Sequence, residues 1–160
     1  MTSARHDILN KHYAENYKET FDNALHDEVV YIGKSRISDA AGLLSPTRTF
    51  APLIKNILEN HFDKIYGLIH CSGGGQTKCL KYIPENVRVV KDNLFTPPEI
   101  FKKIREASDA DNREMYQVFN MGCRMEIYTD RDDAQIIGRV EASDKKGLVI
   151  KVDGEKLVFS

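Results

Sequence analysis

The run His70-Cys71-Ser72-Gly73-Gly74-Gly75 holds the residue types best able to do chemistry in this chain. Three successive glycines let the backbone take positive φ and approach a ligand without interference from a Cβ. Ordering glycine costs more conformational entropy than ordering any other residue, so a fold that keeps three together needs a reason. Ile65-Tyr66-Gly67-Leu68-Ile69 before the run reads as a strand, and Gln76 to Tyr82 after it as the first turns of a helix. A helix opening there would offer amide N–H groups and a positive dipole end to a phosphate. Neither G-x-x-x-x-G-K-[ST] nor G-x-G-x-x-G can be drawn through the run. The pattern therefore fits an anion loop, and equally a tight strand-to-helix turn with no ligand.

Other candidates are weaker. His70 beside Cys71 resembles a base beside a thiol nucleophile, yet adjacent strand residues point to opposite faces, which favours a structural or ligand-orienting His70. Thr47-Arg48-Thr49 after Pro46 could clamp a phosphate, since arginine offers a bidentate fork and threonine a hydroxyl; the bland alternative is a helix cap with a solvated Arg48. Ser3, Arg5 and His6 form a further donor cluster at the start of the chain. Asn120-Met121-Gly122 falls between a helix and a strand, where Asn and Gly commonly just make the turn. Asp130-Arg131-Asp132-Asp133 has no calcium-loop spacing and reads as a solvated turn. No Ser/His/Asp triad or paired catalytic carboxylate follows from spacing, so catalytic residues stay unassigned.

These residues must be positioned by an ordinary globular chain. At 160 residues the length favours one domain with a sizeable core. With 23 basic and 24 acidic side chains, no global field draws it to nucleic acid or membrane. The first residues lack the apolar core of a signal peptide, so a cytoplasmic location is expected. Cys71, Cys79 and Cys123 are odd in number and form no C-x-x-C pair, which argues for reduced thiols and against a zinc cluster.

Apolar periodicity predicts helices at Ser3–Tyr17, around Leu53, Ile54, Ile57 and Leu58, from Pro97-Pro98 through Ile104, and at Asp111–Phe119. Strands are predicted at Glu28–Gly33, Val87–Val90, Arg124–Thr129, Ala134–Glu141, Leu148–Val152 and Lys156–Phe159. Asp153-Gly154 between the last two is a strong hairpin turn signal. The alternation argues for an α/β domain, one mixed sheet covered by helices.

Taken in order, Thr2-Ser3-Ala4-Arg5-His6-Asp7, Leu44-Ser45-Pro46-Thr47-Arg48-Thr49, His70-Cys71-Ser72-Gly73-Gly74-Gly75, Phe119-Asn120-Met121-Gly122 and Ile137-Gly138-Arg139-Val140 resemble successive landmarks of one family. It is the C-terminal half of phosphoribosylformylglycinamidine cyclo-ligase, also called aminoimidazole ribonucleotide synthetase. The commoner His-x-Thr-Gly-Gly-Gly has become His70-Cys71-Ser72-Gly73-Gly74-Gly75, which keeps a hydroxyl before the glycines. The usual Ser-Asn-Gly stretch is replaced by Ser3-Ala4-Arg5.

The resemblance implies a three-layer helix/sheet/helix domain over residues 1–160, the C-terminal half of a two-domain enzyme whose N-terminal ATP-binding domain is absent. It implies the substrate side of a ligase in purine biosynthesis that turns formylglycinamidine ribonucleotide into aminoimidazole ribonucleotide. ATP and Mg2+ would be held mainly by the N-terminal domain, with no cofactor on this chain alone. The full enzyme would be a homodimer, and the isolated domain inactive. Partners would be the ribonucleotide and the N-terminal domain, with no nucleic acid or membrane. Carried over by motif, the substrate- and phosphate-binding residues are Ser3, Arg5, Thr47, Arg48, His70, Ser72, Gly73, Gly74, Gly75 and Asn120, with no metal ligand. The rival expectations are a non-catalytic domain binding a phosphorylated metabolite or a protein partner, and the equivalent domain of a relative such as formylglycinamidine ribonucleotide synthetase.

Two places are shorter than the resemblance implies: Lys34 to Leu44, and Asp130–Asp133, where a whole helix is expected. Four residues can close an antiparallel hairpin, whereas a parallel pair needs about a dozen or more. The expectation is that residues are missing at both places, and that the strands flanking Asp130–Asp133 run parallel beside an uncovered apolar face.

Overall fold

The computed structural model describes residues 49–132 and 134–160. The predicted helix at Ser3–Tyr17, the strand at Glu28–Gly33, the short stretch between Lys34 and Leu44, and the candidates Ser3, Arg5, His6, Thr47 and Arg48 lie outside them. The chain divides into two compact units; Phe50–Pro97 with Asn112–Ser160 forms one, and Pro98–Asp111 belongs to the other.

In the larger unit, helix α1 (Ala51–His61) starts after Phe50, with Pro52 in its first turn, where the missing N–H costs nothing. Its N-cap is Phe50, which has no side-chain oxygen to offer. A short 3-10 turn (Phe62–Lys64) leads into β1 (Ile65–His70). After the glycine run comes a second 3-10 helix (Gly75–Lys81), then β2 (Val87–Lys91). Helix α2 (Glu99–Ser108), in the smaller unit, follows Pro98 as its N-cap and ends at Asp109 in the left-handed region. Helix α3 (Asn112–Val118), β3 (Met125–Thr129), β4 (Gly138–Ala142), β5 (Gly147–Val152) and β6 (Glu155–Phe159) complete the larger unit.

The chain is a mixed α/β protein, as its alternating patterns predict, but the strands of the larger unit form two sheets rather than one. β1 pairs antiparallel with β3, and a four-stranded mixed sheet has the order β4-β2-β5-β6. Within it β2 and β5 run parallel, with Val89 opposite Leu148, and the other pairs are antiparallel. β5 begins with four consecutive buried residues, Gly147 to Ile150, as expected of a central strand covered on both faces. Leu148, Ile150, Val89, Val90, Leu157 and Phe159 make the core with Met115 and Tyr116 of α3. The hairpin turn lies where predicted, with Asp153 and Gly154 both at positive φ.

Two expectations are corrected. β4 starts at Gly138 rather than Ala134, because the Asn93 side chain and backbone amide donate to the carbonyls of Ile136 and Ile137, at 2.7 and 3.2 Å. The strands flanking Asp130–Asp133 are not a parallel pair: β3 bonds to β1 and β4 to β2, so the two belong to different sheets. An apolar face is nevertheless open there. A cavity of about 720 Å³ lies between the sheets, lined by Tyr66, Ile69, Tyr82, Val89, Tyr128 and Val140 among others. Tyr66 and Tyr82 are about two-thirds exposed at it, at 71% and 66%.

Candidate functional site: the glycine loop and its partner loop

The glycine run leaves the end of β1 with its side chains already sorted. Cys71 is buried and its thiol faces Glu126 Oε1 at 3.1 Å, whereas His70 is half-buried and meets the edge of Phe50 at 5.6 Å between ring centroids. The two side chains diverge, as strand geometry requires. A hydrogen bond to Cys123, then burial, then the Glu126 charge all push the Cys71 thiol far above its ordinary range. It remains a protonated thiol at neutral pH and is no nucleophile.

The segment after the glycines differs from the predicted helix. It is a seven-residue 3-10 helix, and the Thr77 amide and hydroxyl both donate to Gly74 O, at 3.0 and 2.9 Å. The dipole anticipated from the sequence is therefore small. In its place the structure supplies a side-chain cation: Lys78, whose stem lies beside Gly74, donates from Nζ to Ser72 Oγ at 3.1 Å.

The three glycines have separate duties. Gly73 has nothing within 4 Å of where a Cβ would stand, while Gly74 sits at φ 96°. Gly75 is buried, at φ 49°, and a Cβ there would come 2.5 Å from Phe119 O and 2.8 Å from Tyr116 O. This close approach brings the end of α3, and with it the Phe119-Asn120-Met121-Gly122 stretch, against the glycine loop.

Gln76, wholly buried, then ties the two loops together. Its Nε2 donates to Asn120 O at 2.6 Å and Cys123 O at 3.2 Å. The Asn120 side-chain oxygen accepts from Gly122 N at 2.9 Å, so that atom makes the turn, as the simpler reading of the motif holds. The structure thus brings His70, Ser72, Gly73, Gly74, Gly75 and Asn120 into one neighbourhood.

No protein-family model matches the chain. Individual proteins do. A phosphoribosylformylglycinamidine cyclo-ligase of Methanopyrus kandleri is 30% identical over 146 residues, covering 83% of this chain and 40% of that protein. The enzyme of the same name from Syntrophus aciditrophicus is 34% identical over 125 residues, covering 74% of this chain and 35% of that protein. That from Methanocaldococcus jannaschii is 32% identical over 133 residues, with 74% and 36% covered. The chain belongs to the phosphoribosylformylglycinamidine cyclo-ligase family. It spans roughly two-fifths of the length of these relatives.

Motifs of the cyclo-ligase family point to the loops but not to the residues that brace them. Lys78, Gln76, Lys91 and Glu126 escape a reading of the sequence. Lys78 lies three residues beyond Gly75, where a cation closing back on the loop could have been sought; Lys91 and Glu126 look like ordinary strand-surface charges. Among the described residues no group of three or more His, Cys, Asp or Glu side chains could hold a metal. No helix among them is long and apolar enough to cross a membrane. The cavity between the sheets takes no lining from His70–Gly75 or Phe119–Gly122, but the Ile137-Gly138-Arg139-Val140 motif lines it, and so do Lys91 and Glu126.

Proposed function

We propose that this chain is the C-terminal, substrate-side domain of an ATP-dependent cyclo-ligase that converts formylglycinamidine ribonucleotide to aminoimidazole ribonucleotide in purine biosynthesis. The observation that carries this reading is the meeting of the Ser72–Gly75 loop, topped by the Lys78 ammonium, with the Phe119–Gly122 loop. A cation and a hydroxyl beside exposed glycine backbone suit the doubly charged ribose phosphate. Arg48 and Thr47, with Ser3 and Arg5, are assigned to the same substrate by motif.

In the proposed reaction the terminal phosphoryl group of ATP passes to the amide oxygen of the substrate, and ADP leaves. A nitrogen of the same molecule attacks the activated carbon, the C–O bond breaks, phosphate departs, and loss of a proton leaves the imidazole ring. There is little covalent work for this domain. Its task is to hold the ribose phosphate so that nitrogen and carbon stay in line, which converts binding into positional advantage. ATP and Mg2+ are assigned to the N-terminal half of the enzyme, which would also form the dimer.

Lys78→Met in the enzyme holding both halves tests the assignment. The variant should raise KM for the ribonucleotide about tenfold or more, as loss of a charge-assisted contact does, with KM for ATP unchanged. An unaltered KM for the ribonucleotide would overturn the loop assignment. The 160-residue chain alone should close no ring with ATP; turnover by it would refute the division of labour. The same loop would serve a non-catalytic domain that binds a phosphorylated metabolite. That reading gains if the ribonucleotide binds while every reconstitution with an ATP-binding half stays inactive.

A further inference from the structure

Beneath the two loops lies a buried polar cluster. Lys91, at the end of β2, is 1% exposed, and Glu126, in β3, is 4% exposed. Lys91 Nζ donates to Glu126 Oε1 at 2.5 Å, Gln76 O at 2.7 Å and Gln76 Oε1 at 3.1 Å, which uses all three of its protons. Glu126 also accepts from the Cys71 thiol on Oε1, at 3.1 Å, and from the Tyr128 hydroxyl on Oε2, at 3.0 Å. Gln76 has both amide protons engaged, on Asn120 O and Cys123 O. No buried side-chain nitrogen or oxygen among the described residues lacks a partner.

Stability alone does not account for this arrangement. Desolvating an ammonium and a carboxylate consumes most of what their attraction returns, and a packed apolar pair in the same space is often as stable. What an apolar pair cannot do is fix directions. Besides the Lys91–Glu126 and Tyr128–Glu126 contacts, the bonds of the cluster end on the segments that bear the site: Cys71 precedes the glycine run, Gln76 follows it, and Asn120 and Cys123 bracket the turn of the second loop. Lys91 and Glu126 also join the four-stranded sheet to the two-stranded one.

We infer that Gln76, Lys91 and Glu126 are positioning residues that hold the Ser72–Gly75 and Phe119–Gly122 loops in one register, and so set affinity for the phosphorylated substrate without touching it. The inference rests on the assignment of the loops made above. Misplacing binding groups by about 1 Å can cost on the order of a hundredfold in rate, so the leverage of such a brace is large.

The test uses the enzyme containing both halves, with three variants: Gln76→Met, the paired Lys91→Met/Glu126→Leu, and Lys78→Met as reference. Lys91→Met alone would strand a buried carboxylate and unfold the domain, hence the pair. Gln76→Met and the paired variant should keep the melting temperature within a few degrees of the parent while raising KM for formylglycinamidine ribonucleotide about ten- to a hundredfold, with KM for ATP unchanged. If Lys78→Met raises that KM and the two brace variants, still folded, do not, the inference is overturned while the loop assignment stands. Should both brace variants lose the fold, the cluster is a stability element and the inference fails as well. If Lys78→Met itself changes nothing, the loop assignment fails first.

Discussion

Gly75 shows how a single residue decides the neighbourhood. Its positive φ and the backbone of Phe119 and Tyr116 leave no room for a side chain. Gly75→Ala should therefore cost about 2–3 kcal/mol or more, read as a lowered urea midpoint, whereas Gly73→Ala, which meets nothing, should stay near the parent. Tyr128 gives a prediction in pH. Burial first, then the nearby Glu126 charge, raises its hydroxyl above the ordinary tyrosine range. The unfolded chain loses that proton near pH ~10 while the folded chain keeps it, so stability falls as pH rises beyond that point. Tyr128→Phe should flatten this alkaline loss in melting curves taken above about pH 10, at a neutral-pH cost of about 1 kcal/mol for the missing hydrogen bond.

At the scale of elements, the conspicuous patterns in the sequence became structure where local chemistry was sufficient. Pro98 before α2, the Asp153-Gly154 hairpin and the apolar run of β5 needed no distant partner to be recognised. The partner of β3 and the start of β4 were not legible, because they depend on which sheet each strand joins and on Asn93 taking the carbonyls of Ile136 and Ile137. The same holds for the site. Gly73–Gly75 could be read from composition, but Lys91 and Glu126 are strand residues whose burial follows from two sheets meeting over Gln76. Gly138 is a further case: a Cβ there would overlap the Val90 carbonyl oxygen and crowd Lys91 Cα, so β4 can lie against β2 only with glycine at this place. Gly138→Ala should release β4, seen as faster amide exchange at Arg139 to Ala142 and a lower melting temperature.

At the scale of the larger unit, the same frame presents two distinct features. One is the pair of loops, Ser72–Gly75 and Phe119–Gly122, tied together through Gln76. Between the sheets lies an apolar cavity of about 720 Å³, with Tyr66, Tyr82 and Val140 more than half exposed at its margin. Contiguous apolar surface of this kind takes up hydrophobic dyes. The chain should enhance 8-anilinonaphthalene-1-sulfonate fluorescence while folded, and Val140→Lys should reduce the enhancement without lowering the melting temperature. An equal signal from that variant would place the dye elsewhere.

We propose above all that the glycine loop binds the phosphate of a ribonucleotide. It is tested most directly by titrating the isotopically labelled chain with formylglycinamidine ribonucleotide, and with the matching nucleoside, while following amide resonances. Saturable shifts are expected at Gly73, Gly74 and Gly122 and at the Lys78 side chain with the ribonucleotide, and none with the nucleoside. Equal shifts from both ligands, or shifts confined to residues around the inter-sheet cavity, would contradict it.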